Sequence, residues 1–206
     1  MSTDTAATPE GDATTDSSDP STVELHPLGG EPVSLGQQTR LFQLMAVVLD
    51  PYTEESSWIL RTASRILAEF AEADCRTAWI ITCGEADART FLGPYAQEFL
   101  TFCDEDRSVV KALGLDEIPA LVAVGTNGEV IESAEGWDPP AWREVTDEMA
   151  RILAWNRPVF PKPGDPVPFP GTPPPAEPKR PAQRANQPPS TVRISPVVKL
   201  DASDAR

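Results

Sequence analysis

The sequence predicts an α/β domain built on a central mixed sheet that opens with an N-terminal β-hairpin. Three observations carry this. LFQLMAVVL (41–49) and RTAWIITC (76–83) are continuous apolar runs of strand length, the mark of strands covered on both faces. Segments of helical periodicity alternate with them, and strand–helix–strand alternation implies parallel pairing. Late in the chain, Asn127-Gly128 sits between two extended runs, a strong short-range hairpin signal that adds antiparallel strands.

Taken in order, VELHPLGGEPVSL (23–35) places two short extended pieces around Gly29-Gly30, the N-terminal hairpin. LFQLMAVVL follows as the first buried strand. SWILRTASRILAEFAEA (57–73) sets Ile59, Thr62, Ala63, Ile66, Leu67 and Phe70 on one side at helical spacing, with Arg61, Arg65 and Glu69 off it. RTAWIITC is the second buried strand. GEADARTFLGPYAQEFL (84–100) is helical on either side of Gly93-Pro94, which break it. LTFC (100–103) is a short strand, and DEDRSVVKALGL (104–115) a short helix with an acidic start and Gly114 as its stop. IPALVAVGTNGEVIESAEGW (118–137) is the late hairpin. DPPAWREVTDEMARILAW (138–155) is the last helix, with Asp138 as N-cap, prolines in its first turn and Trp142, Val145, Met149, Ile152 and Leu153 as its stripe.

The ends differ from this body. Residues 1–21 are rich in Thr, Ser, Asp, Ala and Pro and have little to bury, so an acidic disordered tail is expected. Residues 22–156 form the domain. Residues 157–206 hold 14 of the 23 prolines, too many for helix or central strand, and predict a largely disordered tail with polyproline II character. Val159, Phe160, Val167 and Phe169 are confined to its first part, so roughly its first dozen residues are expected to lie along the domain. TVRISPVVKL (191–200) alternates well enough to become a strand or a partner-binding peptide. Trp137, Trp142 and Trp155 bracket the last helix, either as its core residues or as an aromatic groove for the proline tail.

Charge excludes some partners. The net charge is -15, yet residues 157–206 carry 8 Lys/Arg against 4 Asp/Glu, so the remainder holds 9 basic against 28 acidic residues. Such a body repels the phosphates of nucleic acid and anionic membrane, and neither is expected as a partner. No run is long and apolar enough to span a bilayer, and the N-terminus lacks the basic start and apolar core of a secretory signal. A cytoplasmic location is expected.

Three cysteines at irregular spacing suggest reduced thiols rather than a disulfide scaffold. The single histidine, His26, excludes multi-histidine zinc sites, and Cys75, Cys83 and Cys103 lack metal-ligand spacing. No metal and no cofactor is expected.

This order of elements, with GGEPVSL (29–35) near its start and FCDEDRSVVKALGLDEIPALVAVGTNGEV (102–130) as its second half, resembles the thioredoxin superfamily. The resemblance runs from about Val23 to Trp155 and is nearest the redoxin branch of peroxiredoxins and cytochrome-maturation thiol reductases. It implies a three-layer α/β/α fold and makes Pro119, in Glu117-Ile118-Pro119, the cis-proline facing the active-site turn. That turn would be VVLDPYTEESSW (47–58), which departs from the pattern where the chemistry belongs. Thr53-Glu54-Glu55-Ser56 has the shape of the peroxidatic Thr-x-x-Cys motif with serine for sulfur, and the Cys-x-x-Cys register starts near Ser57 instead. Neither register supplies a thiol, and a serine hydroxyl forms no disulfide.

Two functions from different classes follow. The first is a non-catalytic module that binds a protein or peptide partner through the Pro119 edge or the proline-rich tail. The second is an atypical thiol-disulfide oxidoreductase, peroxiredoxin-like enzyme or redox sensor that uses Cys83 and Cys103. Those two thiols end predicted parallel strands that the resemblance makes neighbours, roughly 4.8 Å apart, within reach of a bridge that needs Cα atoms about 4.4–6.8 Å apart. Glu85, Asp104 and Glu105 nearby oppose thiolate formation, and inert buried thiols fit the same positions. The chemistry favours the binding module. Asp50, Glu54 and Glu55 read as helix-start residues before cation ligands, and Ser56 and Ser57 as capping residues.

Overall fold

A computed structural model describes residues 19–173 of the 206. The predicted acidic tail up to residue 18, and the later proline tail with TVRISPVVKL, lie outside the described residues.

Asp19 caps a 3₁₀ turn, Pro20–Thr22, by accepting from the Ser21 amide. Strands β1 (Glu24–Pro27) and β2 (Val33–Ser34) form the N-terminal hairpin, with Glu24 opposite Ser34. The second piece stops after two residues because Ser34 and Gln37 form a capping box that starts helix α1 (Leu35–Thr39). The sequence pattern does not reveal that helix. β3 (Gln43–Leu49), α2 (Glu54–Ala71), β4 (Cys75–Ile81), α3 (Glu85–Leu92) and β5 (Leu100–Cys103) then alternate, with a 3₁₀ turn at Gly93–Gln97 where Gly93-Pro94 break the helix. The short helix α4 (Ser108–Ala112) leads to the hairpin of β6 (Ala120–Val124) and β7 (Val130–Glu135), and α5 (Pro139–Leu153) follows.

The sheet has seven strands in the order β2-β1-β5-β4-β3-β6-β7. β3, β4 and β5 run parallel, while β6, β7 and β1 pair antiparallel, so the sheet is mixed. Both crossovers, β3-α2-β4 and β4-α3-β5, step the same way along the sheet. A common right-handed sense therefore puts α2 and α3 on one face. The core agrees: Met45, Val47 and Leu49 of β3 pack with Ile59, Ile66 and Phe70 of α2, Ala88 and Leu92 of α3, and Trp142 and Met149 of α5. Leu44, Ala46 and Val48 face the other way, onto Leu35 of α1 and Val109 and Val110 of α4. Period-2 alternation along one buried strand thus feeds two cores, and the domain of the described residues has three layers.

After α5 the chain turns back along the domain. Phe160 is buried beside Trp137, with ring centroids 6.0 Å apart, and its carbonyl accepts from Arg143. Residues 165–172 continue as an extended strap. It forms two isolated antiparallel bridges, Phe169 with Trp137 and Thr172 with Ile118. The first lies just beyond β7 and the second just before β6.

Candidate functional site

The β3–α2 turn is closed by its own residues. Asp50 follows the buried strand β3, and its amide donates to the Ser56 hydroxyl at 2.9 Å. Ser56 is fully buried, and its oxygen also lies 2.9 Å from the Thr53 hydroxyl. Thr53 occupies the N-cap position of α2 but makes no side-chain cap bond to it. Its amide and hydroxyl both donate to the Asp50 carbonyl, at 3.1 and 3.0 Å. The Asp50 carboxylate accepts from the Tyr52 amide at 2.9 Å and from the Arg107 guanidinium at 2.9 Å. Asp50 thus ties this turn to the left-handed residue that precedes α4. Ser57, one position on, is exposed. Tyr52 is exposed as well, and its hydroxyl donates to Asp87 at 2.7 Å, a bond that raises its pKa to about 12. The side chains of Asp50, Thr53 and Ser56 in this turn are all hydrogen-bonded, and the turn holds no sulfur.

Pro119 is buried, and the Ile118–Pro119 peptide is cis. Ala120, the next residue, pairs with Val48, so Pro119 stands at the end of β3 from which the turn departs. The strap occupies this edge. Ile118 and Thr172 exchange both backbone bonds, at 3.0 and 2.8 Å, and Trp137 and Phe169 do the same at 2.8 and 3.0 Å. The Trp137 indole donates to the Pro166 carbonyl at 2.9 Å. Phe169 stands edge-on to Trp58 of α2, centroids 5.6 Å apart, and Trp58 remains 51% exposed. Asp165 receives both guanidinium nitrogens of Arg65, the shortest at 2.8 Å, and the Thr62 hydroxyl at 2.8 Å. Burial opposes ionisation of Asp165, yet Arg65, the Lys162 amide and Thr62 hold its carboxyl below the usual range.

The two candidate thiols lie on the other side of the turn. Cys103 ends β5 opposite Ile81, and Cys83 follows two residues beyond Ile81. Both are buried in one apolar cluster, and both are free. The Cys83 thiol donates to the Gly84 carbonyl at 3.4 Å. Burial, then Cys103 and the carboxylates of Asp87, Asp50 and Glu105, push Cys83 up to about 12. Burial and Glu85 raise Cys103, with Arg89 opposing. Cys103 also lines a 520 Å³ pocket with His26, Gly84, Glu85, Glu105 and Asp106. Cys75, half-buried at the start of β4, is raised to about 12 by burial. Every thiol here is pushed away from the reactive thiolate form.

Among the described residues, no group of three or more His, Cys, Asp or Glu converges as metal ligands would. None of the described helices is long and apolar enough to cross a membrane. The Asp50–Arg107 and Arg65–Asp165 pairs escape sequence reasoning, because their members lie 57 and 100 residues apart. For the strap a signal existed: Phe160 and Phe169 are the aromatic residues among the few apolar ones in this proline run.

No family model matches the chain, and no curated protein matches it in sequence. Solved structures do. The dsbF of MTB, in its mixed oxidized and reduced forms, is similar at 16% identity and a TM-score of 0.52, over 66% of this chain and 96% of that one. The bacterioferritin comigratory protein of Xanthomonas campestris, studied for alkyl peroxide reduction, is similar at 13% identity and a TM-score of 0.50, over 65% and 91%. The exposed lipoprotein thioredoxin Etrx1 of Streptococcus pneumoniae strain TIGR4 also has 13% identity and a TM-score of 0.50, over 64% and 98%. Likeness at this level of identity speaks for fold alone.

Proposed function

We propose that, on a thioredoxin-like fold of the redoxin kind covering two-thirds of the chain, the protein works as a non-catalytic module that binds an extended protein or peptide segment, at the edge beside Pro119. One observation carries the reading: at the turn where the redoxin likeness implies a reactive thiol, the buried Ser56 hydroxyl is held by the Asp50 amide and the Thr53 hydroxyl. A hydroxyl so bound is part of the helix start, and its oxygen has no base positioned to activate it. Cys83 and Cys103 are buried and raised, which opposes the thiolate that disulfide exchange needs. The edge at Ile118, by contrast, presents a backbone donor and acceptor that pair with an extended segment, here the chain's own.

The test is a thiol count by mass after alkylation of the denatured protein, with and without prior mild peroxide treatment of the folded chain. Three labels in both samples are expected. Loss of two labels on oxidation, restored by reductant and mapped to Cys83 and Cys103, would overturn the reading in favour of a thiol-disulfide enzyme or redox sensor.

A further inference from the structure

The strap touches the domain as a ligand touches a receptor. We infer that residues Asp165–Thr172, DPVPFPGT, are a built-in ligand that holds closed a groove for extended, proline-rich segments of the same chemistry. The inference rests on the binding-module reading above and names both its ligand class and its regulation.

The groove reads a pattern. Pro166, Pro168 and Pro170 have no N–H, so they restrict backbone pairing to the residues between and beyond them. Phe169 and Thr172 are the two that pair, each through both N–H and C=O, with Trp137 and Ile118. Proline spacing therefore sets the register in which a segment can add to this edge. Side chains supply the rest. The acid at the first position meets Arg65 and Thr62, and the aromatic at the fifth meets the half-exposed Trp58. The seventh position must be glycine: a Cβ on Gly171 would stand 2.5 Å from the Glu117 Cβ. A ligand of this groove is thus an extended segment with an acid four residues before a Phe-Pro-Gly-Thr sequence.

The strap lies at the surface of the domain, with Phe169 packed against the edge of one core. Val167 is 80% exposed, and Phe160, upstream of the segment, supplies the buried anchor. The contacts made by Asp165–Thr172 can therefore open together while both cores stay packed. Because the segment is tethered, its effective concentration at the groove is on the order of millimolar. An external segment binds only by exceeding that, so the free chain keeps its own site occupied.

The experiment uses the full chain and a release variant, Phe169→Ala with Gly171→Val, compared by amide hydrogen exchange and by anisotropy of a fluorescent DPVPFPGT peptide. In the variant, exchange at Ile118 and Trp137 should rise about tenfold or more while β3 and β4 amides keep their protection. The peptide should bind the variant about tenfold or more tighter than the wild type, which its own strap occludes, and should restore protection at Ile118. Unchanged exchange at Ile118 overturns the inference, and so does a released groove that fails to bind the peptide. Should the double variant unfold, Asp165→Asn gives a milder release with the same readouts. The thiol count is independent: a peroxide-formed disulfide defeats the non-catalytic reading whatever the strap does, and a failed peptide experiment leaves that count untouched.

Discussion

At the turn after β3, the hydrogen bonds among Asp50, Tyr52, Thr53 and Ser56 join residues at most six apart. At the strap, apart from the Lys162 amide on Asp165, side-chain bonds join Asp165 and Pro166 to partners between 29 and 103 residues away. Both regions are closed, but by contacts of different range. The turn is written in contiguous residues, forms with the first turn of α2, and opens only if that helix start unwinds. The strap must close a long loop before any of its contacts form, and those contacts are few. The local lock belongs to the fold, whereas the distant one is separable from it.

The sharpest test of that contrast is a residue that one core and the strap share. Trp137 is fully buried, yet it also bonds the Pro166 carbonyl and pairs with Phe169. Trp137→Ala should cost about 3–5 kcal/mol in urea denaturation and release the strap at the same time. Next comes Ser56→Ala, which strips the buried Asp50 amide of its partner. It should cost about 1–3 kcal/mol of global stability with no selective change in exchange at Ile118; a selective rise there would break the comparison.

Asp165→Asn should weaken strap closure by about 1 kcal/mol, since Arg65 is partly exposed to solvent. The urea midpoint of the domain should hold. The same pair sets a pH dependence. The Asp165 carboxyl is depressed in the folded chain, so its contribution is present above its released value of about 3.9 and is lost as pH falls through the folded one. Exchange at Thr172 should therefore quicken, after correction for intrinsic rates, as pH drops below about 4. Smallest of all is Val167→Ser, on the exposed flank of the strap, expected within about 0.5 kcal/mol of wild type by the same denaturation.

The same division decides what the sequence discloses. Gly29 and Gly128, in the left-handed region, sit in the two hairpin turns that their neighbourhoods announce. The stripe Ile59, Ala63, Ile66, Leu67, Phe70 is buried as its spacing requires. These are short-range patterns, legible because one stretch of chain contains both the cause and the effect. Helix α1 escapes because five residues are too few to show a period, and only its Ser34–Gln37 box marks it. At the site, the missing sulfur is plain in Thr53-Glu54-Glu55-Ser56. The use made of Ser56 is not, since serine at a helix start usually faces solvent or the cap. Arg65 lies off the apolar stripe and reads as a solvent residue. Its partner is supplied by a loop 100 residues later, and nothing local to either residue points to the other.

Gly136 and Gly171 meet where the strap crosses the end of β7. Gly136 has φ +65°, and a Cβ there would lie 2.7 Å from the Gly171 nitrogen. In terms of inheritance, two glycines thirty-five positions apart form a single trait. A side chain at either one lifts the strap, and no compensating change at the other restores the fit, because neither has anything left to remove. A lineage that loses one glycine frees the other, and with it Asp165 and Phe169, to drift. Descent would then keep the whole closure or shed it entire, and the bare domain would go on with its edge at Ile118 unpaired.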